Sequence, residues 1–135
     1  MATPPTLTEI ASARAALVAA DPALARADSQ TPVFDWRTRT GGFEGLFRMI
    51  VEQQVSVASA AAIWGRVSAG LGEVTADRVL ATDIETLRGF GLSGPKARYG
   101  HEIARAQIEG RVDFGHMAGL DDAAAVSALT AIKGV

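Results

Sequence analysis

The chain is predicted to be all-α, a helical bundle, on three observations. Apolar residues recur at helical spacing, most clearly Phe43, Leu46, Phe47, Ile50 and Val51 at i, i+3, i+4, i+7 and i+8, which is one face of an amphipathic helix. Helix-opening signatures, a Ser, Thr or Asp ahead of a helix-forming run, recur from Thr6 to Asp121. No stretch alternates apolar and polar residues in the way a half-buried strand must.

Element by element, Thr6 and Glu9 have capping-box spacing and open a helix to about Ala20. Asp21-Pro22 opens a second, short helix, because a proline at the first helical position sacrifices no hydrogen bond. Residues 29–42, ending in Gly41-Gly42, read as a connecting loop, so the chain is expected to comprise N-terminal helices and loop (1–42) and a helical domain (43–135). Ser56 is the N-cap expected for the helix after Val51, in which Ala58, Ala60, Ala61 and Ala62 allow close backbone approach; Trp64 is placed in the core on the same face as Val57, Ala60 and Ala61. Thr75 and Thr82 are expected to cap two short helices, the latter with Glu85 in box position. Gly91 suits the left-handed residue that ends a helix, and Ser93 opens a long one to about Gly110. Asp121 caps the last, ending near Ile132, which makes seven or eight helices with no internal repeat.

Composition bounds the function classes. A chain of 135 residues can bury a core of its own, and 48% hydrophobic residues without an apolar run near 18 describe a soluble globular protein, with no membrane partner. Met1 to Thr6 lacks the charged-then-apolar order of a signal peptide, so a cytoplasmic location is expected. The absence of cysteine excludes disulfides, zinc–thiolate sites and an iron–sulfur cluster within these residues. His101 and His116 have no ligand partners at metal spacing, so neither metal nor cofactor is expected. Thirteen basic against fifteen acidic side chains, a net charge of −2, is not the footprint of a strong nonspecific DNA binder.

Three blocks carry the functional signal: Phe43 to Arg66 (FEGLFRMIVEQQVSVASAAAIWGR), Leu87 to Arg98 (LRGFGLSGPKAR) and Leu129 to Val135 (LTAIKGV). In this order they resemble the helix-hairpin-helix DNA glycosylases, specifically the 3-methyladenine glycosylase II branch, in which an aromatic-initiated helix leads into Gln-Gln-apolar-Ser and an Ala-rich helix, here Gln53, Gln54, Val55 and Ser56. The resemblance implies a base-excision repair enzyme that needs no cofactor and acts on double-stranded DNA containing alkylated bases. It places the tip between the two helices in the minor groove, with Gln54 as the wedge and Gln53 able to hydrogen-bond base edges through its amide. Without the resemblance, Gln53 and Gln54 read as solvated residues at a helix end and Ser56 as a cap. Glu52 departs from the family, which usually has a small residue there, and its carboxylate is expected to repel a nearby phosphate.

The second block reads as a helix stop and start. The N–H groups after Ser93 can receive an anion, with Lys96 and Arg98 adding positive charge, which makes Lys96 a candidate DNA contact. The same residues also make an ordinary capped turn with solvated bases. In the family, this turn supports the core beneath the DNA-binding hairpin. Ile132, Lys133, Gly134 and Val135 match the opening of the family's apolar-x-Gly-apolar-Gly turn, whose glycines bring backbone amides, commonly with a monovalent cation, close to a phosphate. The resemblance puts the second glycine, a Thr-Ala helix and an aspartate beyond Val135, so no catalytic group is assigned here.

That aspartate matters because a ring-alkylated base is cationic and leaves readily, and a carboxylate is wanted to stabilise the oxocarbenium-like sugar or orient water. Asp83 and Asp121 read instead as caps, and Glu44, Glu85 and Glu102 as solvated helix faces. Trp36 and Trp64 have the chemistry to stack on a cationic base, although core packing suits Trp64 better. Residues 1–135 alone are therefore expected to release no methylated purine. They are also expected to self-associate, through the apolar sides of the Phe43–Val51 helix and of Val126, Leu129 and Ile132 left facing water. The alternative of another class is a noncatalytic helical module that binds DNA or a protein.

Overall fold

The computed structural model describes residues 5–32, 39–117 and 119–135, and among these it contains nine helices and no strand. They are α1 (Leu7–Ala20), α2 (Pro22–Gln30), α3 (Gly42–Glu52), α4 (Val57–Leu71), α5 (Ala76–Ala81), α6 (Ile84–Gly89), α7 (Gly94–Ile108), α8 (Phe114–Met117) and α9 (Asp122–Thr130). None is long and apolar enough to cross a membrane. The chain divides into two compact units, Met1–Arg39 and Thr40–Val135; the sequence reading set the boundary after Gly42.

In the first unit the Thr6–Glu9 capping box forms as expected, the Thr6 N–H and hydroxyl both donating to the Glu9 carboxylate and holding its pKa below the usual range. Asp21 caps α2. The two helices are tied by Arg14, which donates to the Asp28 carboxylate at 2.7 Å and to the carbonyl of Thr31.

The second unit holds one core of Phe47, Ile50, Val51, Val67, Val79, Leu87 and Ile103, all fully buried. Helix α7 is its spine, with α3, α5 and α6 packed on it. The approach of α3 requires Gly100, since a Cβ at that position would stand 2.5 Å from Cε2 of Phe47. Phe47 in turn meets Trp64 of α4 edge-on, with ring centroids 6.1 Å apart.

Several expectations change. The apolar face of α3 does not face water: Phe43, Phe47, Ile50 and Val51 are buried against α7 and α4, and Ile132 is buried too, leaving Val126 exposed at 59%. Of the apolar residues on which self-association was expected, Val126 and the partly exposed Leu129 still meet solvent. Trp64 shares its buried face with Ala60, Val67 and Leu71, whereas Val57 is 88% exposed, because the packing stripe of α4 runs through i, i+4, i+7 and i+11 from Ala60. The cap of α6 is Asp83, not Thr82: the Asp83 carboxylate accepts from the N–H and hydroxyl of Thr86, while the Thr82 hydroxyl donates back to the Arg78 carbonyl at the end of α5. An ionised carboxylate is the stronger acceptor for free N–H groups, so the adjacent Thr loses the competition. The one-turn α8, capped by Asp113, was not expected from the sequence.

Candidate nucleic-acid interface

Between α3 and α4 the chain turns in four residues, Gln53 to Ser56, and every residue from Gln53 to Ser59 is exposed. Helix α3 ends at Gln53, whose N–H still donates to the Ile50 carbonyl while its backbone becomes extended. Gln54 then adopts φ +55°, the only positive φ at a non-glycine among the described residues. An L-residue in the left-handed region is strained, so the surrounding structure has to hold it there. One such hold is Ser56, whose hydroxyl oxygen accepts from the Ser59 N–H and starts α4. The tip thus displays the Gln54 side chain on a sharp corner between two helices whose buried faces are fixed in the core.

The second hold comes from α7. Lys96 sits in the first turn of that helix, where a cation is unfavourable by about 0.3–1 kcal/mol. Its ammonium donates to the carbonyls of Val51, at 2.8 Å, and Gln53, at 2.6 Å, the last carbonyls of α3. The negative end of α3 offsets the positive end of α7. Two of its three donors are thus engaged inside the protein, so Lys96 is not the freely solvated base of the capped-turn reading. Gly91, at φ +106°, ends α6 as expected, and Ser93 caps α7 by accepting from the Lys96 N–H.

Glu52 is not left bare toward a phosphate. Arg48, one turn earlier on α3, donates to its carboxylate at 2.8 Å and also covers the Trp64 ring at 5.4 Å from the centroid. The expected repulsion is therefore reduced by a paired charge. Trp64 is engaged in the core, and the Trp36 expectation lies outside the described residues.

Further along the chain, α9 runs into another turn: Ile132 is buried, Lys133 and Val135 are exposed, and the Val135 N–H donates to the Ile132 carbonyl. Gly134 has φ +104° and lies flat against the ring of Tyr99, where a Cβ would overlap the ring atoms. Lys96 and Tyr99 are three residues apart on one face of α7. The first two turns of one helix therefore support both the Gln53–Gln54 tip and the Gly134 turn. Sequence reasoning missed Tyr99 and Arg48. The i,i+4 spacing of Arg48 and Glu52 was a usable signal, whereas nothing local marks Tyr99 as the seat of a glycine so distant in the chain.

His101 serves the fold, its Nε2 2.7 Å from the Thr82 carbonyl. Among the described residues no cluster of three His, Asp or Glu side chains is arranged to hold a metal.

One helix of this all-α unit therefore supports both a strained glutamine tip and a glycine turn. The family model described as "HhH-GPD superfamily base excision DNA repair protein" matches residues 47–133. The chain belongs to that superfamily. Two solved structures are similar to it: a DNA-3-methyladenine glycosidase from Bacillus halodurans, 33% identical with a TM-score of 0.69, over 76% of this chain and 48% of that one; and a Schizosaccharomyces pombe 3-methyladenine DNA glycosylase in complex with abasic DNA, 26% identical with a TM-score of 0.66, over 76% of this chain and 54% of that one. The chain spans about half the length of these relatives. No curated protein sequence matches it.

Proposed function

We propose that the protein is a DNA glycosylase that removes alkylated purines, of the 3-methyladenine type, from double-stranded DNA, with residues 43–135 supplying lesion recognition. The observation that carries this reading is Gln54, held at φ +55° on a fully exposed corner. A base within a duplex is reached only by rotating its nucleotide out, which costs a few kcal/mol of lost stacking and leaves a gap. A side chain projecting from a corner fixed between two packed helices fills that gap with its backbone already ordered, so that only its own rotamers are fixed on binding. Gln53 supplies an amide able to donate to or accept from the exposed base edges. Ser56 keeps the corner closed. The Ile132–Val135 turn, with Gly134 flat on Tyr99, brings backbone N–H groups toward a phosphate, and Lys133 adds an exposed charge beside it.

The chemistry proposed is hydrolysis of the N-glycosidic bond. The bond's electron pair leaves with the base, whose alkyl-induced positive charge it neutralises, and water adds to the sugar carbon and gives up one proton to the solvent. No carboxylate among the described residues is assigned to that step. The similar proteins named as 3-methyladenine glycosylases support the substrate class, and the abasic-DNA complex of one of them supports DNA as the partner.

The test is base release from methylated duplex DNA by the full-length protein, followed by chromatography of the freed purines. Release of 3-methyladenine above the spontaneous rate supports the proposal. Tight binding to abasic-site duplex without any release would replace it with the noncatalytic DNA-binding module.

A further inference from the structure

We infer that Lys96 is a positioning residue for lesion recognition: by clamping the last carbonyls of α3 it sets the left-handed corner that presents Gln54, and it does so without contacting DNA. The inference rests on the wedge reading of Gln54 proposed above. Its physical ground is a pair of local rules that are both broken and repair each other. A lysine in the first turn of α7 faces the positive end of its own helix, and a glutamine at φ +55° occupies backbone space that favours glycine. Neither belongs there on local grounds. They are joined by two hydrogen bonds, 2.8 Å to the Val51 carbonyl and 2.6 Å to the Gln53 carbonyl, the second being that of the peptide unit leading into Gln54. Both bonds are charge-assisted and connect segments more than 40 residues apart in the chain. With the Gln53 carbonyl fixed, the peptide plane before Gln54 is fixed, and with it one side of the left-handed turn. The ammonium has one donor remaining, and its side chain is only half exposed, so its geometry serves the corner more than a phosphate.

The test uses the full-length protein and a duplex carrying a tetrahydrofuran abasic-site analogue, titrated at several salt concentrations beside an undamaged duplex. Lys96→Met should weaken abasic-site binding about tenfold, the lower end of what one charge-assisted hydrogen bond is worth. It should leave the salt dependence and the undamaged-duplex affinity at their original values. Lys96→Arg, which keeps a cationic donor, should retain most of the affinity. In a Gln54→Ala background Lys96→Met should cost little more, because the side chain it positions is gone. Should the methionine variant fail to fold by circular dichroism, Lys96→Gln, which retains a donor for one carbonyl, carries the same comparison.

A fall in the salt slope of about 0.9, with both duplexes weakened in step, would identify Lys96 as a phosphate ligand and overturn the inference. Full additivity with Gln54→Ala would overturn it as well. Original affinity in Lys96→Met alongside a weakened Gln54→Ala removes the positioning role and leaves the wedge standing. Original affinity in Gln54→Ala itself removes the wedge, and the positioning role with it.

Discussion

Replacing Gln54 by glycine should make the fold more stable and its hold on damaged DNA weaker, and the opposed signs are the point of the experiment. The residue sits at φ +55° and is exposed, so its side chain contributes no packing to lose. A non-glycine residue in the left-handed region costs about 1–2 kcal/mol, which glycine does not incur. Against this, glycine gives the unfolded chain extra freedom worth about 0.4–1 kcal/mol. The difference is a net stabilisation of up to about 1.5 kcal/mol, with a centre near 0.8 kcal/mol. For a unit of this size that is a rise of roughly 3–6 °C in melting temperature. Gln54→Ala keeps the strain and should stay within about 0.5 kcal/mol of the original stability. Both variants lack the wedge, so both should bind abasic-site duplex more weakly by a similar factor. Urea unfolding and a fluorescence-anisotropy titration read the two quantities. Destabilisation by Gln54→Gly would show that the glutamine side chain is part of the corner's structure. Stabilisation with undiminished DNA affinity would show that the strain serves something other than a wedge.

Other expectations test the scaffold. Trp64→Ala removes the ring that meets Phe47 and underlies Arg48, and should cost about 3–5 kcal/mol in urea unfolding. Gly100→Ala forces a methyl group into the Phe47 ring and should destabilise by about 1–3 kcal/mol; stability equal to the original would mean that α3 and α7 do not pack as closely as described. Asp83 should titrate below the ordinary aspartate value by NMR, because the N–H and then the hydroxyl of Thr86 donate to it. A depressed folded pKa means that its contribution is present above the unfolded value and lost as pH falls through the folded one, so Asp83→Asn should flatten that part of the acid limb of stability.

What was legible in the sequence was whatever depends on neighbours a turn or less away. The Thr6 capping box, the Asp21-Pro22 start, the Ser56 and Ser93 caps and the left-handed Gly91 are each specified within a few residues, and each stands where the residues put it. Thr82 failed for a local reason of another sort: two adjacent residues both had capping chemistry, and the carboxylate of Asp83 prevailed. The buried face of α3 was misjudged because the sequence shows an apolar stripe but not its cover, and that cover is the glycine surface of α7. Lys96 was read as a surface charge for the same reason. Its partners are backbone carbonyls in a helix far back in the chain, and backbone carbonyls have no sequence signature.

A net charge of −2 sits awkwardly with a DNA-repair family only if duplex binding has to rest on bulk positive charge. The two features proposed to meet DNA work differently. A corner that inserts an uncharged amide gains from filling a gap in the base stack, and a glycine turn offers backbone N–H dipoles at short range; neither depends on the summed charge of the domain. Both demand accurate placement, since a wedge displaced by an ångström meets a base pair where it should meet a gap. The structure spends its few well-placed cations accordingly: Lys96 on the carbonyls beneath the tip, and Arg48 on Glu52 and Trp64. On the proposed reading, these two cations hold the recognition surface in place, and the exposed Lys133 is left to face the phosphate.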